Sequence, residues 1–217
     1  MSHAGTRTYE VTHRTTYRYS DDVTSSYGRG FLTPRETGTQ RCRSHELVIS
    51  PDTPDSTTSR DVFGNLSSYF HVTERHRTLV VTSHSIVEVD PPAPELYGGG
   101  SARAPWEISR PVGQDGALAT EFTLDLASAE ITEEVRAYAA PSFTPQRPLI
   151  EVLRDLNARI FRDFTYRSGS TTVSTRVSEV LAAREGVCQD FARLAIACLR
   201  ANGLAASYVS GYLATET

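Results

Sequence analysis

At 217 residues, 39% hydrophobic and 22% charged, the chain has an ordinary globular composition and enough length for one large core or two small ones. A net charge of −4 gives no electrostatic case for nucleic acid or an anionic membrane as a partner. All 22 basic residues are arginines, so the chain has no lysine amine to offer an acyl-transfer reaction. The N-terminal MSHAGTRTYE lacks the apolar stretch of a secretory signal, and no run approaches the roughly 18 apolar residues of a membrane span. Cytoplasmic location is the default expectation.

The first ninety residues read as strands and turns. From Tyr9 to Tyr19 the odd positions suit one face of a strand rich in β-branched and aromatic residues. Ser20-Asp21-Asp22 reads as a turn. His45 to Ser50 is a second strand stopped by Pro51, and PDTPDSTTS after it reads as a loop. Phe63-Gly64-Asn65 turns the chain into Leu66 to Thr73, and ERHR separates that strand from Thr78 to Val89. Strands at this spacing with no helix between them predict an antiparallel sandwich or barrel over residues 1–90.

The stretch DPPAPELYGGGSARAP, Asp90 to Pro105, changes composition, and residues 91–125 read as a linker or long connection with Tyr97 and Trp106 as tethers. Residues 126–217 then turn helical. Ser128 to Tyr138 reads as a short helix. Pro148 to Phe164 reads as a better one, with Leu149, Val152, Leu153, Leu156, Ile160 and Phe161 on one buried face. TYRSGSTTVSTR is a polar connection, and Val177 to Arg184 a helix with Ser174 or Thr175 as candidate cap.

The last helix carries chemistry-bearing residues. In GVCQDFARLAIACLRANG, Phe191, Leu194, Ala195, Cys198 and Leu199 recur at helical spacing, Val187 and Cys188 extend the face by a turn, and Gly203 is a natural left-handed stop. Cys188 thus falls in the first helical turn, after Gly186, which permits a sharp entry. Periodicity alone makes a lone cysteine on such a face a core residue. The position makes it a nucleophile seat, because unpaired N–H groups and the helix dipole favour a thiolate and stabilise an oxyanion. Cys198, mid-face, reads as core. Cys42, flanked by Arg41 and Arg43, has no base or partner in view. Cys188 and Cys198 would lie about 15 Å apart along a helix, beyond disulfide reach, and the cysteine spacing fits no zinc site.

The run from Gly186 to Leu213, together with Phe164-Thr165-Tyr166, SGSTTVST, Glu179-Val180-Leu181 and Arg184, resembles the cysteine-bearing segment of the bacterial transglutaminase-like proteins, a branch of the papain-like thiol enzymes. YEVTHRTTYRYSDDV, LTPR and DVFGN, followed by a strand ending VEV, are similar to the β region that often precedes this core. The resemblance implies an α+β fold: an N-terminal antiparallel β-sandwich-like domain, then the helical first half of a papain-like transglutaminase core. It implies that Cys188 attacks a glutamine side-chain amide or a peptide bond of a protein or peptide substrate, forming a thioester that an amine or water resolves. No cofactor is expected, and no acidic calcium loop of familiar spacing appears. Gln189 has two readings, substrate contact or a hydrogen bond to the preceding loop. Asp190 points away from Cys188 on a helix and reads as support for the local turn or a partner strand. Tyr166 matches a residue near the family's cleft, with a buried aromatic as the other reading.

In the family a histidine on a later strand and an acid beyond it complete the site. The six histidines here, His3, His13, His45, His71, His76 and His84, all precede residue 85. His13 and His45 read as strand-surface residues, and His71, His76 and His84 as solvated ones. The expectation is therefore a fragment or truncated chain whose catalytic histidine and acid lie beyond Thr217, inactive as it stands. The strand Ala205 to Leu213 would lack a neighbour, so dimerisation or strand exchange through that edge is expected. The alternative function is a non-catalytic protein-binding module using the same fold.

Overall fold

The structure, a computed structural model, describes residues 5–92, 100–113, 116–125 and 130–214. These residues form two compact units, one within 5–92 and one within 100–213. The first is all β. Strands β1 (Arg7–Val23), β6 (His76–Val89) and β3 (Gln40–Ser50) form one antiparallel sheet in that order. Strands β2 (Ser26–Gly30), β5 (Leu66–Val72) and β4 (Ser56–Arg60) form the other. Phe70 and Val72 from the second sheet pack with Leu79 and Val81 from the first, and Tyr19, Leu32, Leu47 and Ile49 close the cluster. Apolar residues on the facing sides of two sheets exclude water between them, which makes this unit a sandwich.

Three local readings change. Ser20-Asp21-Asp22 is not a turn: β1 runs through it to Val23, its register against β6 shifting between Arg18 and Val23. Extra residues in a strand are absorbed as a bulge, and Asp22 there pairs with Arg75 and Arg77. The loop after Pro51 contains β4, whose five residues are all exposed and so show no alternation. β2 lies in SYGRG, where glycines mask the pattern. Gly28 is needed there because a Cβ would sit 2.1 Å from the Phe70 ring. The turn at Phe63-Gly64-Asn65 is built by Asp61, whose carboxylate accepts from the Phe63 and Asn65 N–H groups while Gly64 takes φ 84°.

The second unit is helical: α1 (Gly100–Arg103), a 3₁₀ turn (Trp106–Ser109), α2 (Ala117–Glu121), α3 (Glu133–Ala139), α4 (Leu149–Asp163), α5 (Val177–Ala183) and α6 (Cys188–Ala201). Two residues on each side, β7 (Thr165–Tyr166) and β8 (Glu185–Gly186), pair in parallel. The core joins Val135, Tyr138 and Ala139 of α3, Val152, Leu156 and Ile160 of α4, Val177, Val180 and Leu181 of α5, and Leu194, Ala197 and Cys198 of α6. It also takes in Trp106, whose indole N–H donates to the Thr144 carbonyl and whose ring meets Phe143 edge-on. Part of the segment read as a connection is therefore packed. Tyr97, Ser128 and Ala129 lie outside the described residues, and the helix predicted from Ser128 begins only at Glu133, where the Thr132 side chain caps it by accepting from the Val135 N–H.

Phe161 does not join the buried face of α4: it is 87% exposed, and Leu153 is 37% exposed. The line 149, 152, 156, 160 follows the helix's inner edge, whereas 153 and 161 form the next stripe, which turns outward. Neither Ser174 nor Thr175 caps α5. Arg176 holds the N-cap position, and its N–H donates to Glu179 Oε2 at 2.7 Å. The segment 205–213 is not a strand, since no ladder pairs with it among the described residues. Its path is set at the start by Arg200, which donates to the Ala206 carbonyl, and by the Ala206 N–H, which donates to the Phe122 carbonyl. Among the described residues no helix is long and apolar enough to cross a membrane.

Candidate active site

Cys188 is the first residue of α6 and is exposed, so the core reading of it fails. Cys198, ten residues on, is wholly buried, and burial pushes its thiol up to about 12. Cys42 lies in the β unit, where burial first and the Glu36 charge second raise its pKa. The flanking arginines are turned to acids instead, Arg41 to Asp90 and Arg43 to Glu88. Of the three thiols, only Cys188 combines exposure with a helix start.

The turn into α6 is held by Asp190, 2% exposed. Its Oδ2 accepts from the Val187 N–H at 2.9 Å and from the Thr171 hydroxyl at 2.6 Å. One buried carboxylate thus fixes the residue before Cys188 and ties the 168–175 loop to it. Burying a carboxylate is costly unless hydrogen bonds replace its water, and these two do so. The first-turn N–H groups of Cys188 and Gln189 have no carbonyl within the helix to bond.

Gly186 matters for closeness rather than for a sharp turn. Its φ is not positive, and a Cβ there would stand 3.0 Å from the Asp190 side chain. The left-handed residue is Arg184, φ 58°, which ends α5 and lays its guanidinium over the Tyr138 and Phe164 rings. The β7–β8 pair follows at once, with the Arg167 N–H donating to the Gly186 carbonyl at 2.9 Å. Tyr166, opposite Gly186, is 64% exposed, so its buried reading fails.

Gln189 is half-buried and borders a cleft of about 420 Å³ along one face of α6, with Arg193, Ile196, Ile131, Val177 and Tyr208. Arg193 pairs there with Glu130 at 2.5 Å and donates to the Thr175 carbonyl. Thr171 and Glu130 were not singled out from sequence. Both act from irregular segments, where no periodicity marks a side chain's direction.

The five described histidines all belong to the β unit, and His3 lies outside the described residues. His76 is not solvated: it is 6% exposed, its Nε2 bonded to Ser26 and its Nδ1 to the Glu74 carbonyl, with Tyr19 edge-on. His71 is also largely covered, its side chain 18% exposed. His45 bonds Ser85, and burial lowers its pKa. His84 pairs with Glu10 at 2.7 Å. Among the described residues no three His, Cys, Asp or Glu side chains gather as a metal site would require.

Comparison with known proteins identifies this architecture. Residues 9–88 match the bacterial transglutaminase-like N-terminal region, and residues 136–217 match the transglutaminase-like superfamily core. Uncharacterised proteins of Mycobacterium tuberculosis and Mycobacterium bovis are 71% identical over 213 residues, covering 98% of this chain and 68% of each relative. The chain belongs to the transglutaminase-like superfamily. A Mycobacterium leprae protein is 29% identical over 94% of this chain and 70% of its own length. A crystal structure of a Cytophaga hutchinsonii protein assigned as a cysteine protease shares the fold, with a TM-score of 0.65 at 16% identity. The alignment covers 89% of this chain and 63% of that structure. Within the transglutaminase-like core, then, Cys188 opens the helix that carries the family resemblance.

Proposed function

We propose that this transglutaminase-like chain carries the nucleophile of a thiol enzyme that acts on glutamine side-chain amides or peptide bonds. The observation that carries the reading is Cys188: the exposed thiol at a helix start, beside a turn locked by the buried Asp190. Sγ bonds to the amide carbon, the oxyanion meets the first-turn N–H groups, and ammonia or an amine departs to leave a thioester. Water or an amine then resolves it. The departing nitrogen must be protonated, and no histidine follows His84. We therefore assign the proton-transfer groups to the part of the longer relatives that these 217 residues do not span, and expect the chain by itself to be a slow catalyst. Tyr166, paired with Gly186 in the β7–β8 ladder, and Gln189, on the cleft beside α6, are the proposed substrate contacts, and no cofactor is invoked. The exposed Tyr208, Val209 and Leu213, on a segment that joins no ladder among the described residues, favour association of two copies there.

The test compares the 217-residue chain with the full-length mycobacterial relative for ammonia release from a glutamine-bearing peptide. Release by the relative that disappears on replacing its counterpart of Cys188 with alanine supports the reading. A relative that binds such peptides with no thiol-dependent turnover favours the binding-module alternative.

A further inference from the structure

Two adjacent serines in the β unit bond two histidines on the consecutive strands β5 and β6, and the two pairs differ in a way that points to chemistry. Ser26 Oγ bonds His76 Nε2 at 2.9 Å, but both residues are buried and His76 Nδ1 is spent on a backbone carbonyl. That pair is a sealed polar contact in the core. Ser25 Oγ bonds His71 Nε2, also at 2.9 Å, but here the serine is exposed. Behind the imidazole, Asp55 Oδ2 lies 3.3 Å from Nδ1. The order is hydroxyl, imidazole, carboxylate, and its hydroxyl end is open to solvent.

Each member is positioned by the sheet. His71 sits opposite Tyr27 in the β2–β5 register, and the two rings stack at 4.0 Å and 9°. Its N–H donates to the Asp55 carbonyl, and its own carbonyl accepts from Thr53 Oγ1. Thr53 Oγ1 accepts from the Asp55 N–H in turn. The ring is therefore held on one face by Tyr27 and at Nε2 by Ser25, with the Asp55 carboxylate facing Nδ1 as an ion-pair partner. With its proton on Nδ1, toward Asp55, Nε2 is left to accept the serine proton, which is the arrangement a serine nucleophile needs.

From this juxtaposition we infer a second, thiol-independent acyl-transfer site: Ser25 as nucleophile, His71 as general base and Asp55 as the group that orients it. The substrate class is small activated carboxylic esters, because an exposed serine offers little enclosure and Tyr27, stacked on His71 yet 67% exposed, leaves aromatic surface next to the imidazole for an aryl leaving group. Ser25 Oγ bonds to the acyl carbon as its proton passes to His71 Nε2. The C–O bond to the aryl group breaks, and the phenol leaves with that proton. Water, deprotonated by His71, then cleaves the acyl-serine to the free acid and restores the hydroxyl.

The test uses the 217-residue chain with Cys188→Ala, so that failure here and failure of the thiol reading are separate results. A fluorophosphonate probe, mapped by peptide mass spectrometry, should label Ser25. Release of p-nitrophenol from p-nitrophenyl acetate should fall about tenfold or more in Ser25→Ala and in His71→Gln, the scale of a lost nucleophile or base. Ser25 is exposed, so its alanine variant should fold, and the labelling result stands without any variant. No label on Ser25, or ester hydrolysis unchanged by Ser25→Ala, overturns the assignment.

Discussion

Asp190 and Gly186 decide whether Cys188 is presented at all, because one buried carboxylate oxygen holds both the preceding residue and the neighbouring loop. Replacing Asp190 with alanine leaves the part-buried Val187 N–H without its acceptor, an expected loss of about 1–3 kcal/mol in denaturant unfolding. Gly186→Ala puts a methyl group 3.0 Å from that side chain and should cost about 1–3 kcal/mol by overpacking. Both variants should also slow alkylation of Cys188, which a stability effect elsewhere would leave unchanged in the folded fraction. Cys188 itself was legible in sequence from its helix-start spacing and the residues around it. The Thr171 hydroxyl that completes the Asp190 contact was not, because its direction depends on the path of an irregular loop.

Elements with a clean period were read well, and elements without one were not. The cysteine helix was expected with its inward face at Leu194 and Cys198, and both are fully buried. Leu194→Ala should therefore cost about 2–5 kcal/mol, whereas Phe161→Ala, on the outward stripe of α4, should stay within about 0.5 kcal/mol. Parallel urea titrations of the two variants check this, and a large loss for Phe161 would mean that the stripe packs on something. Strands β2 and β4 escaped notice because five-residue strands of serine, threonine, glycine and arginine, with Tyr27 alone among them, carry no apolar alternation. They are defined by their partner β5, a nonlocal fact that a local pattern does not contain. Ala205–Leu213 erred the other way: its composition suits a strand, but a strand exists only where a ladder accepts it.

At the scale of the whole molecule, acid should weaken both units. Hydrogen bonds from Arg43 hold Glu88 below its ordinary value, and Asn65 does the same for Asp61. In the helical unit, Ser142 and then Arg147 lower Asp155, and Thr132 lowers Glu134. A carboxylate with a depressed folded pKa contributes stability above its unfolded pKa and loses it as pH falls through the folded one. The melting temperature should therefore vary little with these groups near neutrality and fall below about pH 4.5, the ordinary glutamate value. Light scattering at neutral pH should show a dimer that forms with rising concentration, and a monodisperse monomer throughout would contradict association through residues 205–213. The two-part α+β organisation was legible in the switch from alternating to helical spacing. A histidine partner for the proposed chemistry of Cys188 was not, since no residue after His84 is a histidine.

The proposed chemistry requires Cys188 to be a nucleophile made reactive by the folded turn rather than a thiol that is merely accessible. The direct measurement is its rate of alkylation by iodoacetamide at pH 6.5, read by peptide mass spectrometry in the folded chain and in the same chain unfolded in guanidinium. Folding is predicted to speed the reaction at Cys188 by about tenfold, the scale expected for a cysteine at a helix start, while slowing it at Cys42 and Cys198. A Cys188 that reacts no faster folded than unfolded would contradict the account.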